Sequence, residues 1–222
     1  MFIINIFMHM NPLKIKHLKN AIDIATIDDI LSLAKSAPRL DAEVATFING
    51  KYVKVKDTKT CNASLVDHSS FDDKINDLIE KCSELVKQKT GLTCIGQTSE
   101  FVHYTTGTKY WPHVDGQSFN KDTNSFTRGN IMRDITCIVY FNDEYTGGEL
   151  YFQFFNSAYI PKPGDVMIYP SNWPYIHGVE PVTGNRYALV IWFETSPHAY
   201  PTEDEVINDP QVLRVINAQN RI

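Results

Sequence analysis

The sequence predicts one domain that is mainly β, with helices packed on a β core as support (an α+β arrangement). Three observations predict this fold class. The 222-residue chain is 43% hydrophobic and 21% charged, so it can bury a core without disulfide bonds or a metal. Two amphipathic helical stripes lie in the first ninety residues. From about Glu100, short β-rich runs alternate with turn residues, which is typical of a sandwich or a barrel.

The two helices are predicted from capping residues and apolar periodicity. Thr26 and Asp29 form a capping box in front of the first helix, and Pro38 ends it. Ser70 and Asp73 form a similar box in front of the second helix. The second helix has an apolar stripe and a glycine cap, formed by Phe71, Ile75, Leu78, Ile79, Cys82, Leu85, Val86 and Gly91.

Five β-rich runs follow the helices. The run 142–152 has two Gly residues between two β-rich halves, which predicts a strand, a turn and a second strand. The run 166–169 follows a turn at 161–165. The remaining runs are 101–104, 134–141 and 186–193.

The two ends of the chain give separate predictions. Met1 to Met8 is apolar and predicts a core strand or a frayed terminus, with a degenerate signal anchor as the open alternative. This run is too short to span a bilayer, so no membrane segment is expected. Thr202 and Glu205 predict the cap of a last helix that breaks near Pro210.

Charge and cysteine content narrow the functional classes. The net charge is −5 and the pI about 5.8, whereas a general binder of phosphate backbones would be basic, so nucleic acid is not an expected partner. The cysteines form no C-x-x-C pair, which disfavours a zinc ribbon or a disulfide framework and favours a reducing compartment, with the cytoplasm as the expected location. These cysteines are Cys61, Cys82, Cys94 and Cys137.

A candidate metal site begins with His113 and Asp115 in the segment YWPHVDG. On a strand, residues two apart project from the same face, so an imidazole and a carboxylate would point in one direction. Such a short pattern also arises by chance, and an ordinary surface or core histidine is the alternative.

A second histidine and an arginine complete a chemically coherent set. His177 lies in the segment YIHGVEPVTGNR, and Arg186 follows it across a turn. Two imidazoles and one carboxylate leave three positions of an octahedron open, as non-haem Fe(II) oxygenases require. A chelating 2-oxo acid can take two of these positions and O2 the third. The planar guanidinium of Arg186 suits the remote carboxylate of that acid, although a surface arginine on an edge strand is the alternative.

These residues and their surroundings resemble the 2-oxoglutarate and Fe(II)-dependent dioxygenases, and among them the prolyl 4-hydroxylase group. The run DITCIVYFNDEYTGGELYF resembles the central hairpin of that group, and PKPGDVMIYPS resembles the strand before its second histidine. The resemblance covers roughly residues 100–193. The group's pattern Y-x-x-G-x-x-Y-x-x-H-x-D is matched by Tyr104, Gly107, Tyr110, His113 and Asp115.

The resemblance implies a double-stranded β-helix, a jelly-roll barrel whose mouth holds the iron. It also implies Fe(II), 2-oxoglutarate and O2, with ascorbate to rescue oxidised iron. The implied roles are His113, Asp115 and His177 as Fe(II) ligands, Arg186 as the anchor of the distal carboxylate, Tyr140 as a hydrogen-bond partner of that carboxylate, and Tyr104 as a wall of the cosubstrate pocket. Core packing is the alternative for both tyrosines.

The chain is expected to form one integrated domain. Residues 1–99 would be a helical and strand support, 100–197 the jelly-roll oxygenase core, and 198–222 a C-terminal extension. The segments 116–130 and 171–175 flank the ligands in sequence, and the first is long and polar. It is predicted to cover the substrate, with an ordinary flexible surface loop as the alternative.

The expected activity is hydroxylation of an unactivated C–H bond, with a prolyl residue of a protein or peptide as the favoured substrate and succinate and CO2 as co-products. Lysyl or small-molecule hydroxylation is the alternative within the class. Two departures from the family pattern leave the substrate open. Collagen-type enzymes have lysine where this chain has Arg186, and many members have glutamine where it has Thr108.

Two other classes are less well supported by the sequence. The nucleic-acid dealkylating branch has a second arginine six residues after the anchor, where this chain has Trp192. A non-catalytic jelly-roll binding protein would have no reason to keep the three ligands, Arg186 and Tyr140 together.

Overall fold

Two predictions concern residues outside those that the structure describes. They are the strand at Met1 to Met8 and the last helix after Thr202. The computed structural model describes residues 14–48, 51–55, 61–120, 124–128 and 133–196.

The described residues are mostly β-strands, with two α-helices in the first half of the chain. The helices are α1 (Ile24–Ser36) and α2 (Asp72–Thr90), and short 3-10 turns lie at Ser69–Phe71 and Trp173–Tyr175. The strands are β1 (Lys16–Leu18), β2 (Arg39–Asp41), β3 (Val44–Ile48), β4 (Lys51–Val55), β5 (Ser64–Val66), β6 (Thr93–Tyr104), β7 (Tyr110–His113), β8 (Gln117–Asn120), β9 (Ser125–Arg128), β10 (Ile135–Tyr140), β11 (Tyr145–Gly147), β12 (Leu150–Phe152), β13 (Ser157–Tyr159), β14 (Val166–Pro170), β15 (His177–Val179), β16 (Val182–Gly184) and β17 (Arg186–Ser196).

Two antiparallel sheets form the body of the fold. The major sheet has the strand order β1-β14-β10-β17-β6-β5-β2, and the minor sheet has the order β13-β12-β15-β7. Three further antiparallel pairs are β3–β4, β8–β9 and β11–β16. Apolar side chains of both sheets share one core, so the sheets face each other as in a jelly roll.

Side-chain alternation along β10 separates two cores. Cys137 and Val139 face outward and pack with α1 and α2 on the outer face of the major sheet. Ile138 and Tyr140 face inward and join the core shared with the minor sheet. The predicted packing of the helices on the β core is confirmed.

Helix α1 begins earlier than predicted, and its cap is a different residue. The carboxylate of Asp23 accepts a hydrogen bond from the backbone N–H of Thr26 at 2.8 Å and another from its hydroxyl at 2.8 Å. The predicted capping box of Thr26 and Asp29 is therefore wrong, because Thr26 lies within the first turn and Asp23 already satisfies it.

Helix α2 also starts without the predicted cap. Ser70 lies inside the preceding 3-10 turn, and the helix has no side-chain N-cap hydrogen bond. Gly91 is confirmed as the C-cap: it has a φ of 79°, and its N–H donates to the Lys87 carbonyl. In the part of the chain that is described, neither helix is apolar and long enough to cross a bilayer.

The hairpin predicted at 142–152 is wrong in its pairing. Strands β11 and β12 are both present, but β11 pairs with β16, and β12 pairs with β13 and β15. Gly147 and Gly148 between them both have a φ of 69°, which turns the chain from one pairing partner to another. A Cβ at Gly147 would overlap the carbonyl oxygen of Pro181, so this close approach requires glycine.

Candidate active site

The three predicted ligands lie together at one end of the minor sheet. His113 in β7 pairs directly with His177 in β15. His113 Nε2 lies 3.4 Å from Asp115 Oδ1, and His177 Nε2 lies 3.5 Å from Asp115 Oδ2. Their potential ligand atoms all lie within 4.8 Å of one another, so one ion could contact all three residues.

Asp115 reaches this position from a bend and not from the strand that holds His113. Strand β7 ends at His113, so the predicted same-face argument does not explain why the two residues meet. The bend is held by hydrogen bonds to other elements. The N–H of Gly116 donates to the Ser171 carbonyl at 2.8 Å, and the Thr136 hydroxyl donates to Asp115 Oδ2 at 2.7 Å.

Backbone carbonyls orient both imidazoles. Nδ1 of His113 lies 2.9 Å from the carbonyl oxygen of Trp111, and Nδ1 of His177 lies 2.9 Å from that of Tyr175. Because a carbonyl oxygen can only accept, each Nδ1 carries the proton and each Nε2 is left with a lone pair. Burial lowers the pKa of His177 to about 4 despite the nearby Asp115 carboxylate, which favours the neutral form that binds metals.

The Asp115 carboxyl is kept ionised although its side chain is only 3% exposed. Burial opposes its charge, but His177, His113 and the Thr136 hydroxyl outweigh burial and hold the pKa of Asp115 well below its usual range. The site therefore offers an anionic oxygen of Asp115, the neutral imidazole of His177 and Nε2 of His113 as potential ligands.

One cavity connects this group to Arg186. The cavity wall includes His113, Asp115, His177, Tyr104 and Arg186. Arg186 is the first residue of β17 and is only 2% exposed. A buried cation is therefore available in the same enclosed space as the three potential ligands.

The Arg186 guanidinium is surrounded by phenol rings. Its Cζ lies 4.8 Å from the ring centroid of Tyr104 and 5.1 Å from that of Tyr140. Burial opposes its charge, but Tyr140, Tyr104 and Tyr145 raise the pKa of Arg186 above its usual value. The guanidinium is therefore always a cation.

Several buried polar atoms around Arg186 have no hydrogen-bond partner in the protein. They are Arg186 Nε and the hydroxyls of Tyr140 and Tyr145. Among the described residues no Asp or Glu forms an ion pair with Arg186. Unpaired buried groups of this kind are costly, and a carboxylate placed beside them would satisfy them.

The two predicted cosubstrate tyrosines occupy different places. Tyr104 contributes to the cavity wall, opposite Arg186 in the β6–β17 ladder. Tyr140 is fully buried next to Arg186, and the residues lining the cavity do not include it. The arrangement therefore brings both tyrosines to Arg186, but only Tyr104 to the wall.

Tyr169 also lies at the site, although no sequence motif assigned it a role there. Its hydroxyl lies 3.0 Å from His177 Nε2 and 3.4 Å from Asp115 Oδ2. Tyr169 lies on β14 and contributes to the cavity wall. Alternation along β14 places Met167 and Tyr169 in the same inner core, but it does not distinguish a residue of the site from one that only fills this core.

The segments predicted to flank the ligands are partly regular. Strands β8 and β9 pair within 116–130, so the described part of that segment is a β-hairpin. The 171–175 segment contains a 3-10 turn, and the Trp173 N–H donates to Gln117 Oε1 at 2.7 Å. The two segments therefore contact each other beside Asp115.

The donor set fits a specific kind of ion. Two imidazole nitrogens and one carboxylate oxygen, with open positions toward a cavity, suit a non-haem Fe(II) centre. The unpaired donors around Arg186 suit the distal carboxylate of a 2-oxo acid. A jelly roll with these two features in one cavity defines the class of iron-dependent oxygenases that use a 2-oxo acid.

Comparisons with known proteins agree with this class. Residues 99–194 match the family model of the 2OG-Fe(II) oxygenase superfamily. A PKHD-type hydroxylase of Rippkaea orientalis is 29% identical over 86% of this chain and 86% of that protein.

Two solved structures have the same fold. The viral collagen prolyl hydroxylase of Paramecium Bursaria Chlorella virus-1, in complex with 2OG, has a TM-score of 0.53 at 16% identity, with 81% of this chain and 94% of that chain covered. A prolyl hydroxylase of Trichoplax adhaerens, in complex with a hypoxia inducible factor peptide fragment, has a TM-score of 0.57 at 16% identity, with 83% and 85% covered. The predicted jelly-roll core is confirmed. The predicted resemblance to the prolyl hydroxylase-like dioxygenases of the 2OG-Fe(II) oxygenase superfamily is confirmed by the family model and by the Rippkaea orientalis relative.

Proposed function

We propose that this enzyme hydroxylates a prolyl residue of a protein or peptide. In this reaction a C–H bond, 2-oxoglutarate and O2 give an alcohol, succinate and CO2, with one oxygen atom in the alcohol and the other in succinate. The oxygenase activity is inferred chiefly from one cavity, which joins the three potential metal ligands to Arg186.

His113, Asp115 and His177 would hold Fe(II). The bound iron would activate O2 for oxidation of an unactivated C–H bond. The protein supplies two imidazoles, an ionised carboxylate and a cavity wall that is largely apolar. The apolar residues of this wall include Val102, Ile138, Leu150, Val179 and Ala188. This wall limits the access of water to the reacting groups.

Arg186 would bind the distal carboxylate of 2-oxoglutarate, and the Tyr140 hydroxyl would donate to the same carboxylate. Both groups have buried donors that lack a partner in the protein. Tyr104 would pack against the guanidinium and close that end of the cavity. Ascorbate would serve as the reductant that returns oxidised iron to Fe(II).

An exposed aromatic surface beside the site supports a peptide substrate. This aromatic ridge consists of Phe154, Phe155, Trp173 and Tyr175. Phe154 and Phe155 are 51% and 46% exposed, and their rings contact Trp173 at 6.0 Å and Tyr175 at 5.0 Å between centroids. Proline-rich peptides in an extended conformation dock on aromatic surfaces of this kind.

The ridge lies close to two of the proposed ligands and in an uncharged part of the chain. The Tyr175 carbonyl accepts from His177, and Trp173 contacts Gln117, two residues after Asp115. Residues 150–161 and 166–179 contain no Asp, Glu, Lys or Arg. An uncharged, proline-rich segment that flanks the target residue matches this surface.

The substrate assignment is tested with a panel of candidate substrates. The protein with Fe(II), 2-oxoglutarate and ascorbate is incubated with a proline-rich peptide, a lysine-containing peptide, free proline and methylated single-stranded DNA. The expected result is the gain of one oxygen atom on the prolyl peptide alone, with equal succinate. Selective modification of any other member of the panel, with the prolyl peptide unchanged, would overturn the assignment.

Variants of the ridge test its part in peptide binding. The double variant Phe154→Ser and Phe155→Ser is expected to raise the KM for the prolyl peptide and leave the KM for 2-oxoglutarate unchanged. Ile95→Ser is the matched control, because Ile95 is 59% exposed on β6 and does not line the cavity. An unchanged peptide KM in the double variant would remove the ridge from the substrate site.

The three parts of the chain are proposed to act as one domain. Residues 100–197 hold all of the groups named for iron and 2-oxoglutarate, and residues 1–99 would support them through α1 and α2. The 198–222 extension is predicted to belong to the same domain.

A further inference from the structure

Two hydroxyl groups lie against the same oxygen of Asp115. The Thr136 hydroxyl donates to Oδ2 at 2.7 Å, and the Tyr169 hydroxyl lies 3.4 Å from the same atom. The other oxygen, Oδ1, lies 3.4 Å from His113 Nε2. The two carboxylate oxygens therefore have different surroundings.

Both hydroxyls are held in place by buried neighbours. The Thr136 hydroxyl also contacts that of Ser171 at 2.8 Å. The Tyr169 ring packs against Phe152 and His177, each at 4.9 Å between ring centroids.

The number of oxygens that Asp115 gives to a metal affects the proposed reaction. A carboxylate can bind an ion through one oxygen or through both. The reaction needs three open positions, two for 2-oxoglutarate and one for O2. Binding through both oxygens would close one of them.

We propose that Tyr169 and Thr136 are positioning residues for the metal centre, because their hydroxyls hold Asp115 Oδ2 and leave only Oδ1 to bind the ion. This inference rests on the proposed assignment of His113, Asp115 and His177 as the metal ligands. With His177 Nε2 bound to an ion, the Tyr169 hydroxyl would still have Asp115 Oδ2 as its acceptor.

The test measures metal binding directly and does not depend on turnover. Anaerobic titration with Fe(II) gives the dissociation constant, and later addition of 2-oxoglutarate gives the visible charge-transfer band of its chelate. Tyr169→Phe keeps the ring, and Thr136→Val keeps the side-chain shape. Each is expected to weaken Fe(II) binding about 10-fold to 100-fold, as is typical when groups that orient metal ligands are removed. The band is also expected to require more 2-oxoglutarate, since the carboxylate can then occupy a second position.

Two further variants separate this role from general packing. Thr136→Ser retains a hydroxyl and is expected to bind Fe(II) as the wild type does. Tyr187→Phe removes a buried tyrosine hydroxyl that contacts Arg39 on the outer face, and it should leave both titrations unchanged. If Tyr169→Phe does not fold, the contrast between Thr136→Val and Thr136→Ser tests the same oxygen.

The outcome also distinguishes this inference from the metal assignment. Wild-type Fe(II) affinity and an unchanged band in both Tyr169→Phe and Thr136→Val would overturn the positioning role. Asp115→Ala is measured beside them. If it also binds Fe(II) like the wild type, the assignment of the ligands fails as well.

Discussion

The two faces of the major sheet differ in what their side chains contribute. On the outer face of β10 and β17, Val139, Leu189 and Ile191 are fully buried and pack with α1 and α2. On the inner face of the same strands, Thr136 contacts Asp115 and Arg186 carries a buried charge. Because side chains alternate along a strand, the same strands build a stabilising core on one side and a reactive cavity on the other.

The outer face of the sheet thus contributes mainly to stability, and the inner face contributes mainly to ligand binding. Burial of apolar surface on the outer face favours folding. The inner face buries Arg186 Nε and the Tyr140 hydroxyl without a hydrogen-bond partner in the protein, and such groups oppose folding. Substitutions on the inner face should therefore change ligand binding with little loss of stability, and substitutions on the outer face should do the reverse.

The largest expected effect is the loss of metal binding in Asp115→Ala. This variant removes the only anionic ligand among the three, so Fe(II) binding and hydroxylation should both be abolished. The free energy of unfolding without metal should fall by no more than about 2 kcal/mol, because the relief of a buried charge offsets the loss of the hydrogen bond from Thr136. Fe(II) titration and urea unfolding measure the two quantities. Retained Fe(II) binding would show that another group holds the metal.

On the outer face, Ile191→Ala should cost about 2–5 kcal/mol of unfolding free energy, because Ile191 is fully buried and the substitution leaves a cavity. Folded protein should still bind Fe(II) with the wild-type dissociation constant. The matched control is Val190→Ala. Val190 precedes Ile191 on β17, faces inward and is partly exposed, so its truncation should lower the free energy of unfolding by less. An Ile191→Ala variant of normal stability but weakened Fe(II) binding would contradict the separation of the two faces.

Arg186→Gln should weaken binding of 2-oxoglutarate about 10-fold to 100-fold, since a charge-assisted hydrogen bond is worth about 1.5–3 kcal/mol. Fe(II) affinity should not change, because Arg186 contacts phenols and not the ligands. Calorimetry with the Fe(II)-loaded, oxygen-free protein measures both constants. Equal weakening of Fe(II) and 2-oxoglutarate binding would mean that the substitution distorts the whole cavity.

The smallest expected effect concerns pH and His103, whose ring stacks on the outer-face Tyr187 at 4.3 Å. The Arg39 guanidinium donates to its Nδ1 at 3.0 Å, which requires a neutral ring. Burial lowers the pKa of His103 below 6.5, with a contribution from the Arg39 charge. The unfolded chain therefore takes up a proton near pH 6.5 that the folded chain does not.

Stability should consequently fall as the pH drops from 7 through 6.5 toward the folded-state pKa of His103. The contribution of this one group is at most about 1.4 kcal/mol per pH unit. Urea unfolding of the wild type and of His103→Gln at pH 7 and 5.5 measures the contribution of His103 to the unfolding free energy. The unfolding free energy of the variant should change less with pH than that of the wild type. An equal change in both proteins would exclude His103 as the cause.

His113, Asp115, His177 and Arg186 could be picked out from the sequence as candidate site residues, because each is a polar residue in an informative local pattern, and the structure places all four on one cavity. Tyr169 could not be assigned in this way. Within the run VMIYP, a tyrosine that faces a metal ligand has the same local pattern as one that fills the core. Its role depends on the distance to His177 and Asp115, which arises only when β14 packs beside β15 and the Asp115 bend.

The wrong predictions also have physical causes. The Gly147–Gly148 pair is a local turn signal, but the pairing of β11 is decided by the Pro181 carbonyl and β16, far along the chain. At α1, Asp23 and Thr26 are both good capping residues, and the carboxylate of Asp23 caps the helix because it accepts from both donors of Thr26. Short sequence patterns do not show which distant strands will pair, nor which of two nearby residues will cap a helix.

We propose that one cavity binds Fe(II) through His113, Asp115 and His177 and binds 2-oxoglutarate through Arg186. The most direct measurement is an anaerobic titration of metal-free protein with Fe(II) and then 2-oxoglutarate, following the visible charge-transfer band of the chelate. The band should form in the wild type, require much more 2-oxoglutarate in Arg186→Gln, and be absent in Asp115→Ala. A folded wild-type protein that gives no band, or an Asp115→Ala variant that gives the full band, would contradict this account.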